Sequence, residues 1–235
     1  MRLYIIRHAD PDYANNTITK EGHREAEALA KRFETHGFDK IFTSPMGRAI
    51  VTMQYTANLL NMDYKIEDWT REQCPELVVE NEIGEKVVAF DIAGEIYRSD
   101  RKSLTHDAWH KCQELKKGDI LTSYEKLVEN SDAFLLRHGY ERVAGRYRCV
   151  KPNQDKIAMF CHAGFGLTWL AHLLEIPPTL MWSGFWIAPS SVTTILFEER
   201  SQEWAVPRCI GMGDISHLYE AGLDMHTSGL KANFY

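Results

Sequence analysis

Leu3 to Ile6 is an unbroken apolar run rich in β-formers, which predicts a parallel strand buried on both faces, and it stops abruptly at Arg7-His8. Thr19 stands where a helix N-cap belongs. Behind it Ala26, Leu29, Ala30 and Phe33 recur at helical spacing, and Gly37 supplies the C-terminal stop. With Lys40 to Thr43 as the next strand, the chain opens on a β-α-β unit. A second helix is predicted from Pro45, a residue favoured in the first helical turn, with Met46, Ala49, Ile50, Met53, Ala57 and Leu60 on its apolar face. Tyr64 to Glu67 is a weaker strand candidate.

From Gln73 to about Lys151 the alternation breaks. This stretch holds an irregular part and a long helix carrying Ile120, Leu121, Tyr124, Leu127, Val128, Phe134 and Leu135 before Gly139, and it reads as an insertion packed over one end of the sheet. Alternation resumes with a strand from Ile157 to Cys161 that ends at His162. A helix with Phe165, Leu167, Leu170, Ala171 and Leu174 follows as far as Pro177-Pro178, and Ser191 to Phe197 reads as one more strand.

A chain of 235 residues with 44% hydrophobic content has a core sufficient for one α/β domain with an elaboration. The net charge of -6, with no dense Lys/Arg block, argues against nucleic acid or an anionic membrane as partner. No apolar run is long enough to span a bilayer, and the N-terminal one is too short for a signal peptide, so the expected setting is cytoplasmic. The five cysteines, Cys74, Cys112, Cys149, Cys161 and Cys209, include no Cys-x-x-Cys pair and are expected to be reduced, without disulfides.

The chemistry lies where the strands end. Ligands of an open parallel sheet bind beyond the carboxyl ends of its strands, and three such ends here carry Arg7-His8, Ser44-Pro45 followed by Arg48, and His162-Ala163-Gly164. Two arginines and two histidines can therefore meet in one crevice. Arginine forks match phosphate oxygens, and imidazole serves as nucleophile or donor, so the set suits a phosphoryl group.

Arg7-His8-Ala9 after an N-terminal strand, Thr19-x-x-Gly22, Ser44-Pro45-x-x-Arg48-Ala49 and His162-Ala163-Gly164 together resemble the histidine phosphatase superfamily, the phosphoglycerate mutase-like group. The similarity covers residues 1–72 and 156–200. It implies a three-layer αβα fold with a mostly parallel sheet, as a single domain over residues 1–235 with an insertion or cap at about 73–151 above the active site.

The resemblance further implies that His8 is the nucleophile and that Arg7, Arg48 and His162 complete the phosphate pocket. It also calls for an acidic proton donor some two dozen residues past the second arginine. Glu72 fits that distance, with Glu76 and Glu80 as rivals. Ala9 and Ala163 replace the glycines that usually follow the two histidines, and alanine closes off a left-handed backbone there. Ala163 and Asp10 are further candidates for substrate contact. No cofactor or metal is implied, and the partner expected is a small phosphorylated metabolite.

Several other features have a plainer reading beside the chemical one. His106-Asp107-Ala108-Trp109-His110 echoes a zinc-protease motif but has Asp for Glu and no third ligand, which favours a solvated face or a cap over the pocket. Cys161 and His162 are sequence neighbours whose side chains diverge at a strand end. Met181, Trp182, Phe185 and Trp186 suit packing or a homodimer contact, and Gly213 to Tyr219 suits a surface turn or a segment reaching the site. His106, Trp109, His110, Arg137 and Arg148 are candidates for contacts beyond the phosphate. Three functional classes remain: a phosphomonoester hydrolase working through phosphohistidine, a mutase-type isomerase that returns the phosphate, and a module that binds a phospho-ligand without turnover.

Overall fold

An eight-stranded mixed sheet runs through the computed structural model, which describes residues 1–72, 78–80 and 86–230. Its strands are β1 (Arg2–Arg7), β2 (Lys40–Thr43), β3 (Tyr64–Ile66), β4 (Tyr140–Val143), β5 (Arg146–Cys149), β6 (Lys156–Cys161), β7 (Val192–Glu199) and β8 (Trp204–Asp214). They lie in the order β3-β2-β6-β1-β7-β8-β5-β4. From β3 to β1 all pairing is parallel, with Ile41 opposite Ala158 and Ile5 opposite Met159. From β1 to β4 it is antiparallel. The parallel half thus brings the carboxyl ends of β1, β2 and β6 side by side, with Arg7-His8, Ser44 and His162 at them.

Alternation along the parallel strands explains the three layers. Tyr4, Ile6, Ile41, Ala158 and Phe160 pack with Leu29, Phe33 and Met53 of helices α1 (Lys20–Glu34) and α2 (Gly47–Leu60). Leu3, Ile5, Phe42, Ile157 and Met159 face the other way, into the larger core. Helix α3 (Gly94–Ser99) gives that core Tyr97, α4 (Ile120–Arg137) gives Leu127, Phe134 and Leu135, α5 (Ala163–Leu174) gives Phe165 and Trp169, and α6 (Pro178–Gly184) gives Met181. Strands buried on both faces need apolar residues at every position, hence the continuous runs in the sequence. Among the described residues no helix is long and apolar enough to cross a membrane.

Helix α1 starts as its sequence demands. Thr19 Oγ1 accepts the Gly22 N–H at 3.0 Å, and Gly37, at φ +63°, turns the chain away after the helix. Glycine at position 22 reflects a close approach, because a Cβ there would lie 2.5 Å from the Asp10 carbonyl oxygen. Helix α2 begins at Gly47, two residues later than the proline predicts. Met46 is extended (φ −79°, ψ 135°), and its N–H donates to Ser44 Oγ at 3.3 Å, so a side-chain turn precedes the helix.

The segment expected as one insertion divides. Residues 140–149 form the hairpin β4-β5, which joins the main sheet next to β8, and α4 packs into the main core. Among the described residues the remainder comprises a short ribbon (Val78–Glu80 with Lys86–Val88), α3 and several single turns. Strand β8 is not predicted by the sequence, because Pro207, Gly211 and Gly213 speak against a strand. It survives them because β5 reaches only Trp204 and Ala205, so the missing amide hydrogen of Pro207 faces an unpaired edge.

Candidate active site

His8 follows β1 and is almost completely buried. Its Nδ1 lies 2.8 Å from its neighbour's carbonyl oxygen, that of Ala9, which can only accept. Nδ1 therefore carries the proton and Nε2 keeps its lone pair. Burial, then the charge of Arg7, holds the imidazole well below its ordinary pKa, so the ring is neutral and nucleophilic at neutral pH.

His162 ends β6 and its ring centroid lies 5.2 Å from that of His8. Its Nε2 is 2.8 Å from Ser44 Oγ, at the end of β2. Ser44 Oγ also accepts the Met46 N–H, and where its own hydroxyl hydrogen goes to Nε2 the imidazole proton sits on Nδ1. That Nδ1 is buried and has no partner among the described residues. Burial, followed by His8 and Arg48, lowers this histidine's pKa as well.

Two guanidinium groups accompany the imidazoles. Arg7 Nη1 donates to the Ile187 carbonyl at 2.8 Å and the Ser228 carbonyl at 3.1 Å, while Nη2 makes a longer contact with Ser228 Oγ at 3.5 Å. With Nη1 pinned, the buried Nε, which lacks a partner among the described residues, and Nη2 form an edge suited to two oxygens of a phosphoryl group. Arg48, from the first turn of α2, donates to Asn16 Oδ1 at 3.2 Å and lies over the Tyr13 ring, 5.3 Å from its centroid.

Glu72 reaches the same place by a different route. Its Oε1 accepts the Phe165 N–H at 2.8 Å and its Oε2 the Gly164 N–H at 3.4 Å, both from the first turn of α5. Burial raises its pKa above 4.5, against the opposing pull of those N–H groups and of Arg48 and Arg7. A carboxyl whose acid form is favoured by burial, beside two arginines, suits general acid work. Glu76 lies outside the described residues, as does the side chain of Glu80.

A cleft of about 730 Å³ opens at this edge, with Arg7, Arg48, Glu72 and Ala163 in its wall. His8 and His162 are buried and are not among its lining residues. Ala163 is the first residue of α5, and neither it nor Ala9 is among the residues of positive φ, so the departures from glycine cause no strain. Cys161 is fully buried, which pushes its thiol far up and leaves it inert beside His162.

Asp10 is placed differently from the expectation. Its carboxylate accepts the Thr19 hydroxyl at 2.8 Å and approaches His226 Nδ1 at 3.6 Å, so it braces the start of α1 and is not part of the cleft wall. The five candidates for contacts beyond the phosphate are also elsewhere. Arg137 pairs with Glu67, Arg148 with Glu141, and His106 with Glu175 at 3.1 Å. Trp109 is core, edge-on to Trp182, with His110 beside it. Nor do His106 and His110 share a helix, since only a single turn, Trp109–Lys111, occurs there.

Other segments provide the wall. Val88, Phe90 and Asp91 come from the inserted part, Trp182 to Trp186 from the end of α6, and Ser228 to Leu230 from the C-terminal stretch. The aromatic group read as packing or a dimer contact thus contributes directly to the cleft. Gly213 to Tyr219 does not, as His217 is buried on Ser190 Oγ at 3.0 Å. Sequence reasoning also misses Tyr13, Asn16 and the role of Ser44. Ser44 carries a signal, standing within a motif, but Phe90 and Ser228 carry none.

The fold is shared with phosphatases of known structure. Similar ones include a phosphoserine phosphatase mutant from Entamoeba histolytica in complex with phosphoserine (21% identity, 92% of this chain and 98% of that one, TM-score 0.61). A mycobacterial glucosyl-3-phosphoglycerate phosphatase (14%, 90% and 98%, 0.59) and the alpha-ribazole phosphatase of Shigella flexneri (16%, 92% and 97%, 0.55) are also similar. More specifically, the family description "Histidine phosphatase superfamily (branch 1)" matches residues 3–81, the segment that contains Arg7, His8, Arg48 and Glu72. No curated protein gives a significant match.

Proposed function

We propose that the protein is a metal-independent phosphomonoester hydrolase that passes the phosphoryl group through His8. The observation that carries this reading is the fixed tautomer of His8, whose Nδ1–H is held on the Ala9 carbonyl while arginines and a buried carboxyl stand at the adjoining cleft. The arriving phosphoryl group takes the Nε/Nη2 edge of Arg7 and replaces the weak contact with Ser228 Oγ by charge-assisted hydrogen bonds. Arg48 and the Nδ1–H of His162 bind the remaining oxygens.

His8 Nε2 then attacks phosphorus in line. The P–N bond forms as the P–O bond to the leaving alcohol breaks, Glu72 gives its proton to the departing oxygen, and the cationic side chains stabilise the equatorial oxygens. In the second half Glu72, now ionised, takes a proton from water as its oxygen attacks phosphorus, and the P–N bond breaks. His8 returns neutral and inorganic phosphate leaves. The substrates would be small phosphorylated metabolites. The free thiols of Cys112, Cys149, Cys161 and Cys209 support a cytoplasmic setting.

The test is a panel of phosphomonoesters assayed with chelator present, together with acid-quench trapping of the phosphoenzyme. Wild type should release free phosphate and His8→Ala should trap none. Phosphate recovered on an isomerised substrate would instead indicate a mutase, and label on another residue would remove His8 from the role.

A further inference from the structure

The wall of the cleft beyond the phosphate seat is largely built from rings. Phe90, Trp182, Phe185 and Trp186 line it together with Val88 and Leu167. Trp182 is rigidly held, with Trp109 edge-on at 5.8 Å and Tyr97 at 6.2 Å behind it. Its polar edge is turned inward, where Nε1 donates to Thr168 Oγ1 at 3.0 Å, so the indole has carbon to offer the cleft. Phe90 packs so tightly on the start of α5 that a Cβ at Gly164 would run into its ring, which fixes it directly beside the residues that hold Glu72. Phe185 is 44% exposed, an apolar ring left open to solvent at the mouth.

We infer that the alcohol half of the substrate carries an apolar ring, so that the site takes phosphomonoesters of ring-bearing alcohols or phenols in preference to those of small aliphatic alcohols. This rests on the phosphatase reading for turnover, but the selectivity itself can be measured by binding. The preformed aromatic wall and the phosphate seat lie in one cleft, so an ester whose ring begins a few atoms from phosphorus engages both at once.

The comparison that isolates the ring is 3-phenylpropyl phosphate against propyl phosphate, whose leaving groups have nearly the same basicity. Binding of the two corresponding phosphonates by calorimetry gives a readout that needs no turnover. The phenyl ester should have kcat/KM higher by about 10–10²-fold, and the phenyl phosphonate should bind tighter by a similar factor. Phe185→Ala should cut both preferences several-fold while leaving the melting temperature unchanged. Equal kcat/KM and equal affinity for the two compounds would overturn the inference and leave the phosphatase reading intact. So would a preference for phosphoserine or phosphoglycerate over the phenyl ester. Selective phosphonate binding without hydrolysis of any ester would do the reverse, retaining the hydrophobic subsite and removing the phosphatase.

Discussion

Glu72 is held by the helix that His162 precedes, since its carboxylate accepts the Phe165 N–H at 2.8 Å. A helix N-terminus favours an anion, whereas burial favours the protonated acid. Burial prevails here and Glu72 titrates above 4.5. Activity that requires a protonated Glu72 and a neutral His8 should therefore fall as pH rises through the Glu72 ionisation, after correction for the substrate's own ionisation at about pH 6. The acid limb, set by the depressed His8, should lie well below pH 6.5. Glu72→Gln should lose the alkaline limb and turn over alkyl phosphates about 10²–10⁴-fold more slowly. p-Nitrophenyl phosphate, whose leaving group needs no proton, should be affected far less. An unchanged pH profile in the variant would take Glu72 out of the acid role.

Ser44 Oγ lies 2.8 Å from His162 Nε2, and a hydrogen bond donated there holds the imidazole proton on Nδ1. Ser44→Ala frees the tautomer, and kcat should drop about 3–10-fold, the value of one ordinary hydrogen bond, with KM little changed. Ser44→Thr should restore most of the loss, and the imidazole nitrogen shifts of His162 should report the altered tautomer. A merely structural defect would show as a lower melting temperature with ordinary imidazole shifts.

Glu25 is buried beneath Asp10, whose N–H donates to its Oε2 at 2.9 Å, while Oε1 has no partner among the described residues. Burial raises it from 4.5 to about 7. The folded state thus binds this proton more tightly than the unfolded state. Its contribution to stability is full below pH 4.5 and disappears as pH rises through about 7. The loss is at most about 3 kcal/mol. Glu25→Gln keeps the acceptor but has no such loss, so urea midpoints of the two proteins should diverge in favour of the variant as pH rises across that window. Parallel curves would mean that Glu25 ionises normally.

Gly22→Ala should destabilise the protein by about 1–3 kcal/mol, because the new methyl would stand 2.5 Å from the Asp10 carbonyl oxygen and backbone has to move. The shifted loop also carries Ala9, the acceptor for His8, so activity should fall by more than stability alone predicts. Chemical denaturation and kcat measured on the same preparation check both parts.

The parallel half of the sheet is legible in the sequence because strands buried on both faces leave continuous apolar runs, and the run from Leu3 to Ile6 breaks off sharply at Arg7 and His8. Thr19 and Gly37 announce the ends of α1 for equally local reasons. Strand β8 is hidden because the open edge that tolerates Pro207 is a property of its neighbours. The cleft wall is hidden for the same kind of reason. Phe90, Trp182 and Leu230 lie far apart in the chain, and only the fold brings them together. His106 and Arg148 look suited to ligand contact by type, but each is engaged by a local carboxylate, of Glu175 and Glu141.

Arg7 is synthesised long before either carbonyl that pins it, that of Ile187 and, 221 positions later, that of Ser228. The strand at the centre of the sheet therefore waits on the ribosome for the contact that orients its guanidinium edge. A growing chain can complete much of the sheet and still lack the finished cleft wall. Competence arrives late, when the Ser228 segment closes onto the work of the first strand.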